Sequence, residues 1–331
     1  MNQRQAILNG VKGATASHIR LGIRNAIENG QRSNIDVFGS ILKRDAVLLF
    51  RPLENLLGAC LEGGGIIVST NRPLSVQRFT GSHEFGHLEL NHNIHISLDG
   101  EEILSYQPFG GDLVELEANA FAGEFLLPKW LFALHAKRQG WAARHLEDPL
   151  IVYQMSLRLG ASYEATTRAL ARHQIISEGS ATDLRAVTPK ASKQKLLGKH
   201  MPDNFYRDVW LITSKDEGQV FEGQRDDIFF FRVNEKSGAG YLWNFEDLKK
   251  MGFNVISDEH KGDTDETVGS FGEREVHADK PEKLRGKLDF VQCRPWQPDA
   301  TQIAHLGIQY DLYGKEIGLP RSQRPQIGAY G

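Results

Sequence analysis

Over residues 15–30 (TASHIRLGIRNAIENG) the apolar positions Ile19, Ile23 and Ile27 recur every four residues. That spacing predicts an amphipathic helix closed by Gly30. Two apolar runs bounded by Gly or Pro, 46–52 (AVLLFRP) and 64–70 (GGIIVST), predict strands. Helical patterns return over 75–91 and over 112–126, the second stopped by Pro128. Residues 150–176 predict two short helices joined at Gly160-Ala161-Ser162. Beyond residue 176 the pattern changes to short alternating runs broken by Gly, Asp and Lys. Strands are predicted at 208–214, 228–234, 240–245, 288–294 and 303–313, and the acidic stretch 258–266 predicts an exposed turn.

This change of pattern predicts an α+β chain in two parts. A mainly helical domain with a small sheet occupies 1–176, and an all-β domain occupies 204–313. Between them, 177–203 is rich in Ser, Thr, Pro and Lys and predicts a solvated linker. Its basic run from Arg185 to Lys199 could alternatively dock an acidic partner or nucleic acid. Residues 314–331 predict an extended tail. A length of 331 residues fits two domains. The net charge of −3 argues against direct nucleic-acid binding. Cys60 and Cys293 form neither a disulfide framework nor a CxxC knuckle. The first 20 residues hold no apolar signal core, and no run approaches a membrane span. The expected setting is the reducing cytoplasm, away from any membrane.

One pentapeptide carries chemistry. His83-Glu84-Phe85-Gly86-His87 is an HExxH motif. On a helix, residues four apart share a face, so both imidazoles can reach one metal while Glu84 meets a water beside it. Random placement at this composition gives about 0.03 such matches, which makes chance a poor explanation. Gly86 is costly inside a helix, which suggests that something packs closely against it.

A hydrolytic zinc site wants a third protein ligand and an open position. The helix 112–126 offers Glu115, with Asn119 four residues on and able to hydrogen-bond a ligand histidine. Glu117 competes for the ligand role, but it lies about 200° around the helix from Glu115, so only one of them can face the metal. The three-histidine arrangement HExxHxxGxxH would need histidine at position 93, which is Asn93. No oxyanion stabiliser stands out; Tyr106, His92 and His95 are the residues considered for it.

The segments VQRFTGSHEFGHLELNH (76–92) and ELEANAFAGEFLLP (115–128) together resemble the ImmA/IrrE family of zinc metallopeptidases. LRLGASYEATTRAL (157–170) resembles the helical pair that follows the site in that family. The resemblance implies a gluzincin-like fold, zinc held by His83, His87 and Glu115, and Glu84 as general base. It also implies that strand 64–70 is an edge beside the cleft, able to pair with an extended peptide. Gly81-Ser82, Phe125 and Leu127 depart from the family's commoner residues without touching an implied ligand.

The β part carries three loop signatures in order: Ser237-Gly238-Ala239-Gly240-Tyr241-Leu242-Trp243, Val268-Gly269-Ser270-Phe271-Gly272 and Arg294-Pro295-Trp296. They resemble the chagasin-like family, immunoglobulin-like sandwiches that inhibit cysteine peptidases through loops at one end. This sequence lacks that family's NPTTG stretch, having Lys236-Ser237-Gly238-Ala239-Gly240 instead. Tyr241, Trp243, Phe271, Arg294 and Trp296 are the expected partner-binding residues. The first resemblance implies a regulatory peptidase whose protein substrate is a helix-turn-helix DNA-binding repressor, in stress, phage or mobile-element control. The β domain would recognise a partner or gate the cleft. The alternatives are a non-proteolytic anti-repressor and an inhibitor of a cysteine peptidase.

Overall fold

The computed structural model describes residues 2–30, 32–92, 95–98, 112–200, 204–262, 272–297 and 302–324. The chain divides into two compact units. The first comprises 1–135, 155–181 and 315–331, and the second 136–154 and 182–314.

In the first unit, α1 (Gln3–Arg20) is capped by Asn2, whose side chain accepts from Gln5 N. Gly22 then turns into the left-handed region at φ +63° and starts α2 (Ile23–Glu28). The single helix expected over 15–30 is therefore broken. Ile23 and Ile27 are buried, while Ile19, on the other side of the break, is exposed. A short α3 (Val37–Leu42) leads to β1 (Leu48–Arg51), β2 (Leu56–Leu61) and β3 (Gly65–Ser69). Next come α4 (Leu74–Glu89), β4 (His95–Leu98) and α5 (Leu113–Leu126). After α6 (Lys129–Gln139), α7 (Pro149–Leu159) and α8 (Tyr163–Arg172) meet at Gly160-Ala161-Ser162. Arg78 is buried and reaches the Gly160 carbonyl at 3.5 Å, tying α4 to this joint.

The sheet order is β1-β3-β2-β4. Strand 64–70, expected at an edge, is therefore central. Its residues pair in parallel with β1 and antiparallel with β2. Its near-continuous apolar sequence fits a strand covered on both faces. The edges are β1 and β4 instead.

Residues 177–200 are largely helical where a solvated linker was expected. They hold α9 (Glu178–Ala186) and α10 (Pro189–Leu197). Sparse apolar positions at helical spacing, Ala181 and Leu184, then Leu196 and Leu197, are buried, and they outweigh the polar composition. Lys193 of the basic run is buried against Asp208 at 2.9 Å, while Lys190, Lys195 and Lys199 are exposed. The described part of the tail packs in the first unit. Gly318 bridges Phe50 on the outer edge of β1, at 2.7 Å and 3.0 Å for the two backbone bonds.

The second unit holds two four-stranded sheets. One has β5 (Val209–Ile212), β7 (Ile228–Glu235), β10 (Gly272–Asp279) and β9 (Asn254–Lys261) in that order. The other runs β6 (Val220–Glu222), β12 (Ala304–Asp311), β11 (Arg285–Cys293) and β8 (Leu242–Asn244). A short α11 (Glu246–Lys250) follows β8. Alternate residues of β7 face the opposite sheet: Phe231 meets Phe290 at 5.1 Å and Phe229 meets Tyr310 at 6.2 Å between ring centres. Phe230 points the other way and stacks on His277. β9 extends through Asp258 to Lys261, so half of the predicted turn 258–266 is strand, and 263–266 lie outside the described residues.

Candidate active site

Helix α4 is buried along its second half, from Thr80 to His87. Polar side chains there need partners. Gly86 lets α5 come close: a Cβ on it would sit 3.0 Å from the Phe121 ring. β2 approaches from another side, with Gly58 over Thr80 and Glu84; a Cβ at Gly58 would lie 3.1 Å from Glu84 Oε1. Glu84 itself is fully buried. At the start of α5, Asp112 caps the helix and Glu115 occupies the first turn, where the helix dipole favours a carboxylate.

These elements bring His83, His87 and Glu115 together, with one donor atom from each within 4.8 Å of the others. Glu115 Oε2 lies 3.1 Å from His83 Nε2, and its Oε1 lies 3.4 Å from His87 Nε2. The two Nε2 atoms are 3.0 Å apart. Asn119 Oδ1 accepts from His83 Nδ1 at 2.9 Å, which leaves the lone pair on His83 Nε2. Both histidines are fully buried, whereas the Glu115 side chain is 30% exposed and gives the cluster its opening to solvent.

Glu117 is not in this cluster. Its Oε2 lies 3.2 Å from His92 Nε2, and His92 Nδ1 lies 2.9 Å from His87 Nδ1. One proton assignment satisfies the whole row. His92 donates from Nε2 to Glu117 and accepts at Nδ1 from His87, whose Nε2 lone pair then faces Glu115. The helix ending produces this contact. Asn91 adopts φ +55° after α4, and His92 N bonds back to His87 O at 2.9 Å while Asn91 N reaches Leu88 O at 3.4 Å. This is a Schellman ending with Asn in the left-handed position, and it folds His92 under His87. The signal for it in the sequence was Asn91 itself.

Burial pushes the Glu115 carboxyl up, but its bonds to His83 and His87 outweigh this and hold it well below the usual carboxylate range. Burial likewise pushes His83 down, and the Glu115 hydrogen bond with the Glu84 and Glu115 charges reverses the shift to a rise. Metal binding requires both imidazoles neutral, and Glu84 and Glu115 then leave two negative charges in a largely buried site. A divalent cation compensates that charge, and lone pairs 3.0 Å apart on two ring nitrogens suit a shared metal. The donor set fits a metal ion.

Residues 34–171 match the model of the IrrE N-terminal-like domain, Peptidase_M78. The matched span runs from α3 into α8 and includes all the residues of the cluster. The domain's name is that of a peptidase family, and the donor cluster of this chain suits a metal-dependent member. A C-terminal portion of the chain is similar to solved structures of another kind. One is the cysteine protease inhibitor EhICP2 from Entamoeba histolytica (19% identity, 33% of this chain, 99% of that one, TM-score 0.28). Another is Amebosin, solved in solution (16% identity, 32% and 97% coverage, TM-score 0.24). A comparison with curated proteins returns no match.

Of the loop residues expected to bind a partner, Trp296 is 65% exposed and lies over Gly240. Arg294 sits over the Tyr241 ring at 4.6 Å. Trp243 is different: it is buried, its indole N–H donates to Asn234 O at 2.8 Å, and it belongs to the core of the β unit. Phe271 and Tyr106 lie outside the described residues, and the side chain of His95 is likewise not described. Among the described residues, no helix is long and apolar enough to cross a membrane.

Proposed function

We propose that the protein is a zinc-dependent endopeptidase that cuts a regulatory protein, a helix-turn-helix DNA-binding repressor in our reading, in the cytoplasm. The observation that carries this is the convergence of His83, His87 and Glu115 with Glu84 buried beside them. A zinc ion held by those three residues supplies Lewis acidity to the scissile carbonyl and to water. Glu84 takes the proton of the attacking water at its carboxylate and returns it to the leaving nitrogen. Asn119 and His92 hold the two imidazoles in the tautomer that keeps Nε2 free. An extended substrate pairs with the outer edge of β4, which no strand covers among the described residues. The exposed Trp296 and the Arg294–Tyr241 pair form the surface with which the β unit recognises a protein partner.

The test is metal analysis combined with Glu84→Gln. The purified full chain is expected to hold one zinc per molecule. Glu84→Gln is expected to keep that zinc, lose turnover by about 10²–10⁴-fold, and retain its substrate for identification by mass spectrometry. Protein without zinc, or a variant with full biological activity, would overturn the hydrolytic reading.

A further inference from the structure

The β unit carries a histidine pair of its own. In the strand register His277 on β10 stands opposite Phe230 on β7 and Ser257 on β9. The Phe230 ring stacks on His277 at 4.1 Å and holds its plane. His200, just beyond the end of α10, brings its ring centre to 5.0 Å from that of His277. Glu259 on β9 places Oε1 3.3 Å from His200 Nε2 and 2.8 Å from Lys199 Nζ.

The hydrogen bonds of His277 leave one nitrogen over. Its Nδ1 lies 2.9 Å from Ser257 Oγ. Its Nε2 is buried and has no hydrogen-bond partner. A buried polar atom without a partner is costly. With Nδ1–H donating to Ser257 Oγ, the Nε2 lone pair is free. That is the arrangement of a metal-binding imidazole, in which an oxygen on one nitrogen fixes the tautomer and frees the other. Asn119 does the same for His83 in the first unit, also at 2.9 Å.

The separation of the rings suits a shared ion. In the first unit His83 and His87 have ring centres 4.7 Å apart and Nε2 atoms 3.0 Å apart. His87 and His92 have ring centres 5.0 Å apart and Nδ1 atoms 2.9 Å apart. Burial first, then the charge on His200, lowers the His277 pKa to about 4, so its ring is neutral at pH 7, the form that binds metal. Two imidazoles and one carboxylate suit zinc, copper or nickel better than calcium or magnesium. Among the described residues only His83, His87 and Glu115 already bring three donors within 4.8 Å of one another. The second set therefore closes only when the Glu259 side chain, 35% exposed, turns inward from Lys199.

We propose that His277 Nε2 and His200, with Glu259 as third donor, bind a zinc ion that staples the end of α10 to strands β9 and β10. This ion is separate from the proposed catalytic one. It binds more weakly, because its donors are not fully assembled beforehand, and it fills on added zinc.

The test titrates zinc alone into the metal-stripped full chain by calorimetry. Two equivalents are expected, the second weaker. His200→Ala and His277→Gln should each lose the second equivalent and keep the first. Glu115→Gln should weaken the first and keep the second. Zinc should also raise the Tm of His87→Ala, and should not raise that of His87→Ala combined with His200→Ala. The His200 side chain is partly exposed, so its variant reports even where His277→Gln fails to fold. Zinc stoichiometry unchanged by His200→Ala would overturn the second site. Zinc binding unchanged by Glu115→Gln would count against the peptidase metal instead, so the two failures are distinguishable.

Discussion

His87 and His92 face one another through their Nδ1 atoms at 2.9 Å, and His92 passes the contact on to Glu117. The row gives the outer nitrogen of one proposed metal ligand a carboxylate-backed acceptor. Removing such a partner typically weakens metal binding by about 10–100-fold. His92→Ala and Glu117→Gln are each expected to raise the zinc dissociation constant by that factor, measured against a competing chelator. The double variant should lose little more than either single one, because both cut the same row. A zinc affinity unchanged in both single variants would show that the row does not support the ligand.

Much of this site could be read in the sequence and part could not. HExxH fixes its own geometry through the helix period, and Glu115 with Asn119 follows the same rule. The choice between Glu115 and Glu117 was open in the sequence because it depends on which face of α5 meets α4. The structure places both, Glu115 at the histidine pair and Glu117 at His92. Strand order was illegible for a similar reason. The run 64–70 reads as a strand, yet whether it lies at an edge depends on β2, whose sequence LLGACL carries little alternation. Composition misled over 177–203, where buried Leu184, Leu196 and Leu197 decide the structure.

Gly10 on α1 faces the backbone of α5. A Cβ there would fall 2.3 Å from Glu117 O and 2.8 Å from Phe121 N. Backbone atoms cannot swing aside, so Gly10→Ala should force α1 away from α5. The ordinary gain of up to about 1 kcal/mol for Gly→Ala inside a helix is then expected to reverse into a loss of about 1–3 kcal/mol. Urea unfolding of the variant gives the answer, and a gain in stability would show that the two helices have room to spare.

Gln77 holds the C-terminal segment to the first unit. Its Nε2 donates to Ser69 O at 3.1 Å and Glu316 O at 3.0 Å, and its Oε1 accepts from Glu316 N at 2.8 Å. Gln77 is buried, and its truncation leaves buried backbone groups without these bonds. Gln77→Ala is expected to cost at least about 2 kcal/mol. Deleting residues 315–331 should lower Tm as well. The deletion combined with Gln77→Ala should cost less than the two losses added, because they share one interaction. Strict additivity would mean that the clamp contributes nothing.

His277 gives the β unit an acid-sensitive core. Burial first, then the nearby His200 and Arg232 charges, lower its pKa from 6.5 to about 4 against the opposing Glu275 and Glu259. The ring stacks on Phe230 at 4.1 Å, and its Nδ1 meets Ser257 Oγ at 2.9 Å. The folded state thus binds a proton at His277 less readily than the unfolded chain does. Stability from this group is complete above pH 6.5 and is lost as pH falls from there towards 4. The full effect is at most about 3–4 kcal/mol, from about 1.4 kcal/mol per pKa unit. His277→Gln, which cannot titrate, is expected to flatten that part of the stability profile while lowering stability at pH 7 through the lost stacking. Urea midpoints measured from pH 7.5 to 4.5 separate the two effects. A variant whose acid slope matches that of the unaltered chain would show that the sensitivity lies elsewhere.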